Sequence, residues 1–431
     1  MYRKIMDFLE AWKENEHRKP LILQGARQVG KTYSILEFGR THYENVAYFN
    51  FETNPKLNET FEENISPDYL IPILSHIAGQ TIVREKTLIV FDEVQLCERA
   101  LTSLKYFCEN APDYHIIVAG SLLGVAVNRA KFSFPVGKVD MKTLYPMDME
   151  EFMLALGEDD LVKQIKECFQ TDTPLPSALH DAAMQLYRQY LVVGGMPECV
   201  IQFAETKDYI LVRHTQDTIL VSYLNDMSKY NNLNEIKKTR LAYDNITVQL
   251  SKKNTRFQYK LIKKGGRASE FKNAIEWLCL SGIASQVYKV EQIKKPLENY
   301  RDIDAFKIYV SDLGLLCAKK DLVANDILYM VEEINDFKGG MAENYVNVQL
   351  SINGYHTYYW ESARGAEIDF IIQRDGQLIP IEVKSADNTR AKSLKVYMDT
   401  YKPAYAIKLS AKNFGFEDTK KIIPLYAAFC I

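Results

Sequence analysis

Cysteine is scarce and unpatterned in this chain. The seven, at positions 97, 108, 168, 199, 279, 317 and 430, are odd in number and never stand in CxxC spacing. Neither a disulfide framework nor a zinc site is indicated, and a reducing, cytoplasmic setting is the expectation. Long apolar runs are missing too: the longest uncharged apolar stretch, 116–127, is shorter than the roughly 20 residues a membrane span requires. The N-terminal residues mix acidic and basic side chains at helical spacing without an apolar h-region, so no export signal is read and no membrane partner is expected. Glycine (20) and proline (14) are under a tenth of the 431 residues, which excludes collagen-like and low-complexity chains. The histidines, at 17, 42, 76, 115, 180, 214 and 356, form no metal-ligand spacing. The net charge of -3 says little about partners, because charge can be segregated along the chain.

What is present is an ordinary globular composition, 47% hydrophobic and 25% charged, long enough for about three domains. Residues 1–155 alternate short apolar runs with helical stretches, as an α/β domain with a largely parallel sheet should. The expected strands are Leu21–Leu23, Val46–Phe51, Leu88–Phe91 and His115–Ala119, with helices at Thr32–Arg40 and Glu98–Asn110. Residues 156–227 read as a helical subdomain interrupted at Gly194-Gly195-Met196-Pro197. Residues 228–335 open with a basic segment, 228–272, carrying twelve Lys and Arg against three Asp and Glu. Its two helical stretches around a Gly265-Gly266 turn suggest a winged helix-turn-helix. Residues 336–431 read as helix, three strands, helix, strand, an αβββαβ order.

The chemistry begins at Gly25-Ala26-Arg27-Gln28-Val29-Gly30-Lys31-Thr32, which matches GxxxxGK[ST] after an apolar strand and before a helix. Backbone N–H groups of such a loop hold phosphates, and the helix N-terminus adds partial positive charge. Lys31 is expected to neutralise the β/γ-phosphates of ATP, with the Thr32 hydroxyl as a ligand to Mg²⁺. Thr87–Phe91 is an apolar strand ending in Asp92-Glu93, the form of a Walker B element. Asp92 is expected to hold Mg²⁺ through water and Glu93 to polarise the attacking water. Ser121, after the fourth strand, stands where a polar residue can sense the γ-phosphate, although Gly-Ser is also common turn chemistry.

These residues resemble the AAA+ superfamily. Gly120-Ser121-Leu122-Leu123, Leu144-Tyr145-Pro146-Met147, Glu150-Glu151-Phe152, Gly194-Gly195-Met196-Pro197-Glu198 and Trp360-Glu361 are similar to a prokaryotic group joining a AAA+ ATPase to a C-terminal domain of unknown function. In that group a Gly-Arg pair precedes the Leu-Tyr-Pro segment, whereas here it is Gly137-Lys138, and a lysine lacks the bidentate fork of an arginine finger. Arg129 is the weaker substitute, and a homo-oligomer is the arrangement in which a trans-acting arginine would work.

Near the C-terminus, Asp369 is followed by Glu382-Val383-Lys384, which resembles the PD-(D/E)XK nuclease pattern. Asp369 and Glu382 at adjacent strand ends supply hard oxygen ligands for Mg²⁺ or Mn²⁺. Strand alternation points Glu382 and Lys384 to one face, where Lys384 can activate water or stabilise a phosphorane. Glu343, on the preceding helix, resembles the helical glutamate of several such nucleases. The bland alternative is a Glu382–Lys384 ion pair on a retained scaffold. Tyr358, Tyr359 and Trp360 serve either to stack bases or to fill a strand core.

The fold expected is therefore α/β: a AAA+ type P-loop domain with a helical lid, a winged-helix-like middle and a C-terminal αβββαβ nuclease-like domain. The expected function is ATP binding and hydrolysis coupled to action on DNA, held by residues 228–272 and the C-terminal domain, with metal-dependent cleavage at Asp369, Glu382 and Lys384. The alternative is a nucleotide-dependent switch or scaffold whose nuclease-like domain only binds a partner.

Overall fold

The computed structural model describes residues 1–120, 134–229, 232–252, 256–385 and 392–431. Ser121 and Arg129 therefore lie outside the described residues, as do Tyr230 and Lys253 of the basic segment. The chain divides into two compact units, Tyr2–Tyr145 with Leu280–Gly282, and Pro146–Cys279 with Ile283–Ile431.

The first unit is built on five strands: β1 (Leu21–Gln24), β2 (Asn45–Asn50), β3 (Thr87–Asp92), β4 (His115–Gly120) and β5 (Asp140–Thr143). They form one sheet in the order β2-β3-β4-β1-β5, every neighbouring pair parallel. The continuous apolar runs of β3 and β4 explain their place: every residue of both strands is buried, as strands covered on both faces must be. Helix Glu98–Asn110 buries Ala100, Leu101, Leu104 and Phe107 at helical spacing. One side of the sheet is filled by Phe49, Phe51, Phe61 and Phe91, whose rings meet edge-on or tilted at 5.5–6.0 Å. The P-loop α/β fold expected from the alternation of strands and helices is present. Strand β5 was not apparent in the sequence, because Asp140–Thr143 is a half-exposed edge strand with no apolar run.

The second unit begins with helices Met149–Ala155, Asp159–Thr171, Ser177–Val193, Pro197–Thr206 and Tyr209–Lys229. Helices Leu233–Leu250, Tyr259–Ile262 and Ala268–Leu280 follow, then β6 (Ala284–Val290) and β7 (Arg301–Val310) as an antiparallel hairpin. Arg256 bridges to Lys307 of β7, and the Phe257 N–H donates to the Phe306 carbonyl at 2.8 Å, so a third short segment flanks the hairpin. After helix Asn335–Ile352 come β8 (Tyr358–Glu361), β9 (Glu367–Arg374), β10 (Gln377–Val383), helix Lys392–Tyr401, β11 (Ala406–Ser410), β12 (Gly415–Glu417) and β13 (Lys420–Pro424).

Strands β6 to β13 make a single eight-stranded sheet in the order β12-β13-β11-β10-β9-β8-β6-β7. The hairpin from the basic region is thus continuous with the C-terminal strands, through a parallel pairing of Tyr288 with Tyr358 and Lys289 with Tyr359. Sequence pattern indicated β8 to β11 but not β6 and β7 or their pairing with the C-terminal strands, because pairing between segments far apart in the chain leaves no local signal. The αβββαβ order is present, extended by β12 and β13.

Candidate functional site: a phosphate loop and a carboxylate cluster

The phosphate loop leaves β1 at Gln24 and turns into helix Lys31–His42. Gly25 adopts φ +147°, and a Cβ there would stand 2.1 Å from the Leu144 carbonyl oxygen, so only glycine is accommodated. Gln28 and Gly30 are also left-handed, at φ 65° and 91°, and Ala26 and Val29 are buried beneath the loop. Arg3 donates to the Val29 carbonyl at 3.1 Å and pins that end of the turn. Lys31 folds back over the loop, its ammonium donating to the carbonyls of Gly25 at 2.9 Å and Ala26 at 2.8 Å. Arg27 lies beside them, partly exposed.

Parallel pairing carries β3 to the same sheet end as β1, with β4 between them. Thr32 donates its hydroxyl to Asp92 Oδ2 at 2.8 Å, which ties the two sequence motifs together. The same oxygen accepts from Tyr48 of β2 at 2.7 Å, and Asn50 Nδ2 donates to the Tyr48 hydroxyl at 3.1 Å. Burial and the nearby Asp92 and Glu93 carboxylates push the Tyr48 phenol up to about 12, so it stays a proton donor. Motif reading missed Tyr48 and Asn50; the register Asn50 with Asp92 is what brings them in. Glu93 sits at φ 52°, an uncommon conformation for a side-chain-bearing residue, and accepts from Gln95 Nε2. Strand β4 ends at Gly120, so Ser121, expected to sense the γ-phosphate, falls just outside the described residues. Lys138, in place of the group's arginine, forms a surface ion pair with Glu109 at 2.9 Å.

The arrangement can hold a nucleotide polyphosphate over the helix N-terminus, with Thr32 and Asp92 as the residues that would hold its Mg²⁺ and Glu93 beside them for water.

The second cluster lies in the other unit. Antiparallel β9 and β10 pair up to Phe370 with Ile381, the residues adjoining Asp369 and Glu382. Asp369 Oδ2 accepts from the Val383 N–H at 2.8 Å, and Lys384 pairs with Glu382 Oε1 at 2.5 Å. Glu382 Oε2 is buried with no hydrogen-bond partner. Glu343, from helix Asn335–Ile352, accepts from the Tyr309 hydroxyl at 2.9 Å. The residue that sequence reading missed is Lys307 of β7. Its side chain is only 1% exposed, and its ammonium pairs with Glu343 at 3.2 Å and with Glu367, and lies 3.9 Å from Asp369 Oδ1.

Burial, with Glu343 and Glu382 close by, holds the Asp369 carboxyl well above the usual carboxylate range; burial raises Glu382 as well, against the pull of Lys384. Burial alone would lower Lys307, but Glu343, Tyr309, Glu367 and Asp369 outweigh it and hold its ammonium charged. Glu343, Asp369 and Glu382, the expected metal ligands, lie in this cluster, and among the described residues no three His, Cys, Asp or Glu side chains are grouped in a way that could hold an ion. Lys307 and Lys384 supply positive charge to these oxygens.

The aromatic residues considered for base stacking are core. Tyr358, Tyr359 and Trp360 are buried, and Trp360 packs edge-on against Tyr397 and Tyr401 at 5.3 and 5.6 Å. Phe257 stacks on Phe306 at 5.2 Å beneath the hairpin. The charges of the basic segment do face solvent: Lys237, Arg240, Lys252, Arg256, Lys260, Lys263, Lys264, Arg267 and Lys272 are exposed. Among the described residues no helix is long and apolar enough to cross a membrane.

The first unit and its loop define a P-loop NTPase, and comparison refines the class. Residues 17–153 match the family model of an AAA domain. Residues 184–326 and 338–428 match two domains of unknown function, DUF8612 and DUF4143. No curated protein matches the chain. Among solved structures, it is similar to the Walker-type ATPase PABY2304 of Pyrococcus abyssi (13% identity, 74% of this chain and 95% of that one, TM-score 0.45). It is also similar to the Aeropyrum pernix ORC2 protein (11%, 77% and 94%, TM-score 0.36) and the Thermotoga maritima RuvB Holliday junction branch migration motor (13%, 65% and 87%, TM-score 0.29).

Proposed function

We propose that this chain binds and hydrolyses ATP and uses the nucleotide cycle to control its engagement of DNA. The observation that carries the first half is the Thr32–Asp92 hydrogen bond, with Lys31 over the loop and Glu93 next to the bond. When bound, Mg²⁺ would neutralise charge developing on the phosphates. Lys31 would leave the Gly25 and Ala26 carbonyls to meet the β/γ-phosphates, and Glu93 would accept a proton from the attacking water once released by Gln95. Lys31→Ala is expected to lower ATP turnover at least about a hundredfold, while Glu93→Gln retains binding but stops hydrolysis. Turnover of Lys31→Ala at the wild-type rate in a phosphate-release assay would refute the assignment.

The DNA half is supported by the exposed cations between Lys237 and Lys272 and by the order helix, helix, helix, hairpin, which is that of a winged helix-turn-helix. Ser121 remains proposed as the polar sensor, on its place after β4, and a homo-oligomer as the state in which an arginine acts in trans. A second reading gives the C-terminal sheet a PD-(D/E)XK nuclease-like fold. The convergence of Asp369, Glu382 and Lys384 and the orphaned Glu382 oxygen favour it. Incubating branched, single-stranded and linear DNA with Mg²⁺ or Mn²⁺ tests it: cutting that disappears in Glu382→Ala supports a nuclease, and intact DNA leaves the domain a binding or scaffold element.

A further inference from the structure

We infer that Lys307 is a resident cation that meets the charge requirement of the C-terminal carboxylate cluster and keeps a divalent metal ion out of it. The cluster draws on three elements: Glu343 from the helix Asn335–Ile352, Glu367 and Asp369 from β9, and Glu382 from β10. Lys307 enters from β7, the hairpin strand contributed by the basic region, and its ammonium reaches three of the four carboxylates. Lys384 takes Glu382 Oε1, and Glu382 Oε2 is buried without a partner.

A buried ammonium is tolerated only when its hydrogen-bonding and charge needs are met, and here three carboxylates and the face of the Tyr359 ring, 5.3 Å away, meet them. A divalent ion would need the same oxygens, pulled in to about 2.0–2.6 Å, and would face the unit positive charge of Lys307 at contact distance. Lysine and metal are therefore alternatives at this site. The Lys307 side chain is 1% exposed, so a metal entering the cluster must displace a buried, paired charge. Until Lys307 is displaced the cluster is an ion-pair network.

The inference concerns the same cluster as the nuclease reading and is its rival there, because a cluster closed to metal cannot run metal-dependent cleavage, and a measurement without DNA decides between them. Mn²⁺ binding to the full chain without nucleotide, followed by electron paramagnetic resonance, is compared among wild type, Asp369→Asn, Lys307→Gln and the double variant. The expected result is identical uptake by wild type and Asp369→Asn, and one further ion in Lys307→Gln, bound about 100-fold more tightly and lost again in the double variant. Two results overturn it: a wild-type ion that disappears in Asp369→Asn, or a folded Lys307→Gln that gains none. Where circular dichroism shows Lys307→Gln unfolded, Lys307→Met replaces it with matched bulk. If that also fails to fold, the wild-type against Asp369→Asn comparison decides alone. Absence of DNA cleavage would end the nuclease reading and leave this inference standing, whereas Mg²⁺- or Mn²⁺-dependent cleavage lost in Glu382→Ala would overturn it.

Discussion

His115 shows how one buried side chain ties stability to pH. It sits on β4 with Nδ1 sharing a 2.7 Å hydrogen bond with Tyr43 and Nε2 buried without a partner. Burial and the cations Arg18 and Lys13 lower its pKa from 6.5 to about 4. The folded chain therefore keeps the ring neutral while the unfolded chain takes up a proton below about 6.5, so stability is lost as pH falls from 6.5 towards 4. Above 6.5 both states are neutral and the residue has no pH effect. His115→Gln is expected to flatten the acid limb of the stability curve by on the order of 1 kcal/mol at pH 4.5, seen in urea titrations at pH 7.5 and 4.5. An unchanged difference between the two pH values would show that His115 does not titrate on unfolding.

At the scale of elements, what the sequence made legible was whatever is contiguous. The loop 25–32 with the strand before it and the helix after it is a local pattern, and so is the strand ending in Asp92-Glu93. Tyr48 and Asn50 were invisible because only the β2–β3 register brings them to Asp92, and Lys307 because it meets Glu343 and Asp369 only through tertiary packing. The Gly194-Gly195-Met196-Pro197 segment was legible as a marker but not as a device. The Gly195 N–H donates to Asp312 Oδ2 at 2.6 Å, and Asp312 caps helix Leu313–Lys319 by accepting from the Leu315 N–H at 2.8 Å. A Cβ at Gly195 would fall 2.0 Å from the Met147 carbonyl oxygen, to which Tyr190 donates at 2.7 Å. Gly195→Ala must therefore separate three elements or lose the cap. Its expected cost is about 2–4 kcal/mol, read as a lowered denaturation midpoint at unchanged m-value. A variant with wild-type stability would mean that the glycine marks something other than this junction.

At the scale of the whole molecule, the net charge of -3 conceals a strongly basic segment, and electrostatics predicts how that segment behaves if it contacts DNA. Each phosphate neutralised by a lysine or arginine contributes about 0.9 to the slope of log affinity against log salt on duplex DNA. Lys260, Lys264 and Arg267 are exposed side chains within this segment, so their joint replacement by glutamine should weaken binding at low salt and reduce the slope by about 2 to 3. The nucleotide cycle adds a second requirement. If ATP changes DNA affinity by some factor, DNA must change ATP affinity by the same factor, because the coupling is a single free energy. Glu93→Gln, expected to hold ATP without hydrolysing it, allows both sides to be measured at equilibrium by fluorescence anisotropy of labelled duplex and of labelled nucleotide. A shift of about tenfold in each, equal within error and absent in Lys31→Ala, is the expected outcome. Equal DNA affinity with and without ATP, together with a salt slope indifferent to the three substitutions, would leave an ATPase whose basic segment serves some partner other than DNA.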